Sequence, residues 1–178
     1  EYIFDTHAHY DDEAFDEDRE SLIGSLREKG IGNVCNIGAS MESCRTTLAL
    51  AEKYPFFYGA LGVHPNETKD LTEEDMDWLR KASGSEKIVA IGEIGLDYYW
   101  KNNPPRALQQ NVFHRQLELA QSLRLPVIVH DREAHQDCLS SVREHPQVTG
   151  VYHCYSGSLE DAKVLVKLGG CSPLRESS

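Results

Sequence analysis

Short apolar segments alternate with longer amphipathic segments along most of the chain. Polar residues do not alternate with apolar ones inside the short segments, which is typical of strands that are covered on both faces. These segments predict six strands, at residues 2–4, 33–37, 56–63, 87–91, 126–129 and 149–152. The longer segments carry apolar residues at helical spacing. They predict helices at residues 16–30, 41–54, 72–82, 105–123, 132–144 and 158–168.

The regular alternation of strand and helix predicts an α/β fold with a parallel sheet. Two architectures fit this order, an open doubly wound sheet and a closed (β/α)8 TIM barrel. The first predicted strand is not followed by a GxGxxG sequence, which weakens the dinucleotide-binding version. We therefore predict one barrel-like domain with about six βα units over residues 1–170, followed by an irregular tail over 171–178.

The amino-acid composition indicates the surface charge of the protein and the compartment in which it is expected. The 178 residues carry a formal net charge of −11 and no basic stripe, whereas proteins that bind nucleic acid electrostatically are usually basic. The five cysteines are widely spaced and form no CxxC pair, so neither a zinc ribbon nor a disulfide framework is expected. No apolar run approaches the ~20 residues of a membrane span. These features predict an intracellular protein without a membrane partner, cytoplasmic or, in a eukaryote, also nuclear.

Side chains that can bind metal share one position relative to the predicted strands. Each lies at the carboxyl end of a strand or directly after it, and together they are His7, His9, His64, Glu93, His130 and His153. In a parallel barrel these strand ends form one rim, where the active site lies. We therefore expect residues that are far apart in sequence to converge in space.

The N-terminal pair of histidines and the central glutamate are the strongest metal candidates. His7 and His9 are two residues apart on an extended segment, so both imidazoles point to the same side. Neutral imidazoles suit zinc, manganese, iron or nickel. Glu93 follows a buried apolar strand, where a carboxylate is costly unless it is paired or bound to metal. A histidine pair alone is a weak indication, and Glu93 could instead form an ion pair with an arginine.

Other polar residues at the same rim are candidates for substrate contacts. Arg132 has a planar fork of donors suited to phosphate, although a surface salt bridge is the commoner use of a single arginine. His64 could be a ligand, a substrate contact or a packing residue. Asp97 and Tyr98 could orient ligands or contact substrate, and Asp97 could equally cap its loop. Cys154 is better explained as an ordinary small strand-end residue than as a catalytic thiolate.

At these residues the sequence resembles the TatD family of metal-dependent deoxyribonucleases, within the amidohydrolase-like barrel superfamily. The matching segments, in the order of the family, are residues 4–9, 62–65, 92–99, 126–132 and 153–157. They cover the chain from residue 2 to about residue 170, and the set is specific although each segment alone is not. The resemblance implies a (β/α)8 barrel that hydrolyses phosphodiester bonds in DNA, typically as a 3′ to 5′ exonuclease.

The resemblance also implies a site with two divalent ions, either magnesium, manganese or zinc. One ion would be held by His7, His9 and Glu93, and the other by Glu93, His130 and His153. The implied substrate is DNA, as a single strand or a 3′ end. Arg132 and His64 would hold its phosphate. Asp97 and Tyr98 remain candidates for substrate contact.

The sequence departs from the family pattern after residue 170. There the family continues with a further strand and then a strand carrying a Thr-Asp pair, whose aspartate binds metal and serves as general base. The base is therefore expected beyond the end of this chain, and the resemblance implies an incomplete barrel with impaired activity. Two alternatives stay open. One is a metal-dependent esterase or amide hydrolase acting on a small molecule or an aminoacyl ester, and the other is a non-catalytic truncated isoform.

Overall fold

A computed structural model describes residues 2–153, 163, 166 and 170–171. Within this part of the chain, one parallel sheet has seven strands in the order of the sequence. The strands are β1 (Ile3–Ala8), β2 (Ile31–Ile37), β3 (Phe57–Leu61), β4 (Ile88–Asp97), β5 (Val127–Arg132), β6 (Gly150–His153) and β7 (Gly170–Cys171). A doubly wound sheet would reverse its order at a switch point, whereas strands of a barrel pair in sequence order. The predicted α/β barrel architecture is confirmed.

Five α-helices connect the strands in the described residues. They are α1 (Arg19–Ser25), α2 (Met41–Lys53), α3 (Glu73–Ala82), α4 (Arg106–Leu123) and α5 (His135–Glu144), and two 3₁₀ helices cover Glu13–Phe15 and Pro65–Asp70. The predictions for α2, α3 and α4 are confirmed to within about a residue at each end. Thr72 precedes α3 as the N-cap residue of a capping box. Its side chain accepts from the backbone N–H of Asp75, and the Asp75 side chain accepts from the backbone N–H of Thr72.

The predicted helix at 16–30 is wrong in its extent. Only seven residues form α1, which follows a 3₁₀ turn and a short irregular stretch. Residues 16–18 and 26–30 form turns instead of helix, with the N–H of Asp18 bonded to the carbonyl of Phe15 and the N–H of Gly30 bonded to that of Arg27. The Arg19 guanidinium donates to the backbone carbonyls of Tyr10, Asp11 and Asp12, so it ties the first residue of α1 to the segment that follows β1.

Four strands, which are β1, β4, β5 and β6, end later than predicted and contain candidate residues inside them. The apolar pattern predicted that each strand ends before its first polar residue. Backbone hydrogen bonds between strands do not depend on side-chain polarity, so the pairing continues past that residue. Thus β4 reaches Asp97, and Gly95 and Asp97 pair with His130 and Arg132 on β5. For the same reason α5 begins at His135 rather than at Arg132.

The seventh strand corrects the predicted boundary of the tail. Gly170 and Cys171 pair with Gly150 and Val151 of β6, so Cys171 belongs to the sheet rather than to an irregular segment. Of the predicted helix at 158–168, the described residues Lys163 and Val166 are helical. The rest of that helix, Cys154 and residues 172–178 lie outside the described residues.

The main core lies between the sheet and helices α3, α4 and α5. Its fully buried side chains include Ile91, Ile94, Phe113 and Leu117, which fix the middle of β4 against α4. Residues at the start of β1 are exposed, so the expectation that every strand is covered on both faces fails there. In the part of the chain that the structure describes, every helix is too short or too polar to cross a membrane.

Candidate metal centre

Two groups of metal-capable side chains meet at the carboxyl ends of the strands and share one carboxylate. His7, His9 and Glu93 each offer an atom that lies within 4.8 Å of the others, and so do His64, Glu93 and His130. These residues lie on β1, β4 and β5 and on the segments directly after β1 and β3. The convergence expected from their strand positions is therefore present among these five residues.

His7 carries a buried nitrogen that has no hydrogen-bond partner. Its Nε2 atom lies 3.8 Å from Oε2 of Glu93, too far for a hydrogen bond. The ring stacks on His153, with centroids 3.8 Å apart and planes inclined by 7°. Burial and the neighbouring His153 lower the pKa of His7 to about 4. The imidazole is therefore neutral near pH 7, the form that binds a metal ion.

His9 is held in one tautomer by the backbone of β2. Its Nδ1 atom is 3.0 Å from the carbonyl oxygen of Ile37, and a carbonyl can only accept, so Nδ1 must donate. The lone pair of the neutral ring is then on Nε2. The ring lies edge-on to His7, with centroids 5.0 Å apart. A backbone partner on the far nitrogen is the usual way in which proteins orient a metal-binding histidine.

Glu93 is ionised although it is buried. Burial alone would raise its pKa, but two effects together lower it to about 2: the hydrogen bond from His130, and the charges that His64, His130 and His7 carry when protonated at the acidic pH where Glu93 titrates. His130 places Nδ1 3.3 Å from Oε1 of Glu93 and Nε2 3.0 Å from Oδ2 of Asp97. Burial opposes protonation of His130, but these two carboxylates raise its pKa above the ordinary value.

His64 packs edge-on against His130, with ring centroids 4.2 Å apart. Burial and the neighbouring His130 lower the pKa of His64 to about 4, so this ring is also neutral near pH 7. Its Nδ1 atom accepts from the backbone N–H of Asn66, 3.3 Å away. In the second donor group His64 stands where the resemblance implies His153, which instead contacts His7.

The other candidate residues occupy three different environments. Asp97 is 1% exposed and holds His130, so it orients a histidine from within the protein. The Tyr98 hydroxyl donates to Asp137 on α5 and accepts from Gln110 on α4, and burial raises its pKa to about 12. Arg132 is exposed, with its guanidinium carbon 4.0 Å from the centre of the Tyr99 ring.

Two buried glutamines of α4 fix the ends of the strands, and the sequence patterns did not indicate them. Gln116 accepts from the backbone N–H of Val63 at 2.8 Å and donates to its carbonyl at 3.1 Å. Likewise, the Gln109 side chain accepts from the backbone N–H of Asp97 at 2.9 Å and donates to the carbonyl of Asp97 at 3.1 Å. Val63 directly precedes His64, and Asp97 holds the ring of His130, so each glutamine positions a residue that adjoins a member of the donor groups. A polar residue repeated seven positions apart on the apolar face of a helix is the signal that could have revealed them.

An acidic pocket adjoins the donor groups on the side of β1 and β2. It has a volume of about 490 Å³ and includes His9 in its wall. Its acidic lining residues are Asp11, Asp12, Glu13, Asp16, Glu42 and Glu67. Like charges repel a polyanion, so this side of the site suits a cationic or neutral group better than a phosphate.

Comparisons with known proteins agree with this fold and with a metal-dependent hydrolase. A sequence model described as TatD-related DNase matches residues 4–173. The chain is 38% identical over 168 residues to the uncharacterised metal-dependent hydrolase YabD of Bacillus subtilis, covering 93% of this chain and 66% of the relative. It is 33% identical over 169 residues to the 3′-5′ ssDNA/RNA exonuclease TatD of Cronobacter sakazakii, covering 94% and 64%.

Solved structures show the same relationship. The TatD homologue YjjV of Escherichia coli superposes with a TM-score of 0.85 at 34% identity, covering 96% of this chain and 66% of that one. A TatD family hydrolase of Entamoeba histolytica gives the same TM-score at 23% identity, which supports the fold alone. The chain thus spans slightly less than two thirds of the relatives that it matches.

A parallel barrel sheet with histidine and carboxylate donors at its carboxyl ends is the arrangement of the metal-dependent hydrolase class. Within that class, the chain belongs to the TatD-related DNase family.

Proposed function

We propose that this protein is a divalent-metal-dependent nuclease that hydrolyses phosphodiester bonds of DNA, from the 3′ end of a single strand. The observation that carries the proposal is the pair of donor groups that share Glu93. A carboxylate can bridge two metal ions a few ångströms apart, and such pairs are used for phosphodiester hydrolysis. The relative from Cronobacter sakazakii, named as a 3′-5′ ssDNA/RNA exonuclease, supports this choice of substrate and direction.

The residues at the site fit a divalent ion. The buried Nε2 atom of His7 has no hydrogen-bond partner, and such a group is costly unless something binds it. His9 has its free nitrogen fixed by a backbone bond, and Glu93 supplies an ionised carboxylate. We propose that these three residues hold one divalent ion, and magnesium, manganese and zinc are the candidates for this donor set.

For a second ion we propose Glu93 and His130, with His64 or His153 completing the ligands. His64 is favoured by its closeness to both residues, and His153 by the family resemblance. When bound, divalent ions at these positions supply the Lewis acidity that activates water and offsets phosphate charge.

The side chains of this chain would orient the substrate and the donors. Arg132 lies two positions after His130 on β5, so both side chains are on the same side of the strand. Its guanidinium can donate two parallel hydrogen bonds to a phosphate beside the donor groups. Asp97 and Glu93 together fix the ring of His130, and Gln109 fixes the backbone of Asp97. The site is thus held rigidly before substrate binds, as positioning catalysis requires.

The acidic pocket beside His9 favours a second candidate, hydrolysis of an ester or amide in a small molecule that carries a positive charge. Its six carboxylates outnumber the one basic residue in its lining, Arg19, and would attract an ammonium group and repel a nucleic acid backbone. The two candidates use the same donor groups and differ only in which side of the rim the substrate occupies.

Activity against labelled single-stranded DNA and against a set of aminoacyl and simple esters, each with magnesium or manganese, tests the proposal. We expect metal-dependent release of nucleotides from the 3′ end. The Glu93→Gln variant removes the bridging charge and should lower this activity by at least about 100-fold, because loss of partners of metal ligands alone costs 10–100-fold. Glu118→Gln, at an exposed position of α4, is the matched control and should retain it. Ester cleavage without DNA cleavage would contradict the nuclease proposal.

A further inference from the structure

Two aromatic side chains stand exposed on the loop between β4 and α4. Tyr99 is 45% exposed and Trp100 is 53% exposed. Their rings contact edge to face, with centroids 4.7 Å apart and planes inclined by 86°. Large aromatic side chains left in solvent on an ordered loop mark a binding surface more often than isolated exposed aliphatic groups do.

Arg132 joins these two rings to the candidate metal centre. Its guanidinium carbon lies 4.0 Å from the centre of the Tyr99 ring and 5.3 Å from the centre of the Trp100 ring. Both distances are within the range of cation–π attraction. Because Arg132 follows His130 on the same side of β5, the three side chains form a continuous surface that begins at the donor groups.

The loop that carries the rings is tied to the rigid end of β4. The Asn103 side chain donates to the carbonyl of Asp97 at 3.0 Å, and its backbone N–H donates to the carbonyl of Trp100 at 3.2 Å. Gln109 of α4 donates to the carbonyl of Pro104 at 2.8 Å. The rings are therefore presented in a fixed position and lose little conformational freedom when a ligand binds.

An open groove of about 780 Å³ runs along this loop. Among the described residues it is lined by Asn66, Tyr99, Trp100, Lys101, Asn102 and Asn103, which include a lysine and no acidic residue. Asn66 contacts His64, so the groove reaches the donor groups. The charged side chain in this groove is positive, whereas the pocket on the other side of the site is mainly negative.

We propose that Tyr99 and Trp100 form a stacking platform for an unpaired nucleobase of the substrate. Arg132 would contact the adjoining phosphate while its guanidinium rests on the rings. Every base offers a flat π surface, so stacking is tolerant of sequence, but in a duplex both faces of a base are covered by its neighbours. The platform therefore selects single-stranded ends. This inference rests on the proposed nuclease function and adds the part of the substrate that is recognised.

The test compares binding of two phosphorothioate-linked single strands, which resist hydrolysis. One strand carries ordinary bases and the other carries abasic sites, so they share a backbone charge and differ only in stacking. Fluorescence anisotropy should show tighter binding of the ordinary strand by the unmodified protein. Trp100→Ala should weaken that binding by about 5- to 100-fold, the range for loss of one stacked base. Binding of the abasic strand should change less than about twofold, which also shows that the variant is folded.

Two variants serve as controls. Trp100→Phe keeps a stacking ring and should retain most of the preference for the ordinary strand. Tyr2→Ala removes a ring that is 71% exposed before β1, at the opposite end of the strands, and should change neither affinity. Equal weakening of both strands by Trp100→Ala, or equal affinity of the unmodified protein for both, overturns the platform.

Hydrolysis of an ordinary phosphodiester strand with manganese is measured in parallel. Base-dependent binding without hydrolysis would overturn the proposed nuclease function and leave the platform standing. If the unmodified protein hydrolyses the strand but Trp100→Ala does not lose affinity for the ordinary strand relative to the abasic strand, only the platform would be overturned. No binding of either strand would overturn both.

Discussion

Replacing Gln116 by Met tests whether α4 positions the strand end that carries His64. Gln116 is 1% exposed and makes two hydrogen bonds to the backbone of Val63, itself 1% exposed. Met has a similar length and no capacity for these bonds, so the N–H and the carbonyl of Val63 would be left buried without partners. Each such group costs about 1–3 kcal/mol.

The expected loss of unfolding free energy is therefore about 1–5 kcal/mol, since burial of the more apolar Met side chain offsets about 1 kcal/mol. Urea unfolding followed by circular dichroism measures it. Gln121→Met, at an exposed position of the same helix, is the matched control and should change stability by less than about 0.5 kcal/mol. A loss below about 1 kcal/mol for Gln116→Met would refute the reasoning, because the two backbone groups would then have found other partners.

Four further substitutions test other parts of the structure. Gly95 has a φ of +143°, and an added Cβ would overlap the carbonyl oxygen of His130, so Gly95→Ala should lower the unfolding free energy by more than about 3 kcal/mol in urea. Gly24→Ala, in α1 with open space around it, should raise the same quantity by about 0.5–1 kcal/mol. Asn36 is fully buried and donates to Thr47, so Asn36→Leu should cost about 2–4 kcal/mol, and an unchanged urea midpoint would contradict this. Arg132→Lys should lower kcat/KM for DNA about tenfold through loss of the bidentate contact, and an unchanged value would argue against phosphate binding by Arg132.

The positions of the strands were predictable because buried parallel strands are continuously apolar. That pattern placed His7, Glu93 and His130 at a common edge of the sheet, and the structure brings them together. The ends of the strands were not predictable by the same rule. β4 continues through Glu93 to Asp97, since pairing with β5 depends on the backbone and not on side-chain polarity.

The residues that position the metal-donor side chains were harder to predict from the sequence. That Asp97 holds His130 depends on the register between β4 and β5, which apolar patterns do not specify. Gln109 and Gln116 lie in an apolar helix face, where a polar residue can be read as tolerated rather than as a backbone partner. The exposed ring of Trp100 indicates a binding surface because Arg132 lies beside it, and this contact depends on the fold.

The short α1 shows that apolar spacing does not fix the ends of a helix. Apolar spacing over residues 16–30 favours a longer helix, but residues 16–18 and 26–30 form turns with bonds between backbone groups three residues apart, such as Asp18 to Phe15 and Gly30 to Arg27. The spacing indicates which side of the segment is buried, and it does not distinguish the last helical turn from the turns that flank it.

The central claim is that His7, His9 and Glu93 bind a divalent ion. Anomalous diffraction at the zinc edge from crystals soaked in Zn²⁺ tests it most directly. We expect an anomalous peak at about 2.0–2.2 Å from a nitrogen of each histidine and an oxygen of Glu93. The same soak of a Glu93→Gln crystal should weaken or remove the peak. Zinc bound only elsewhere on the acidic surface, with this site empty, would contradict the account.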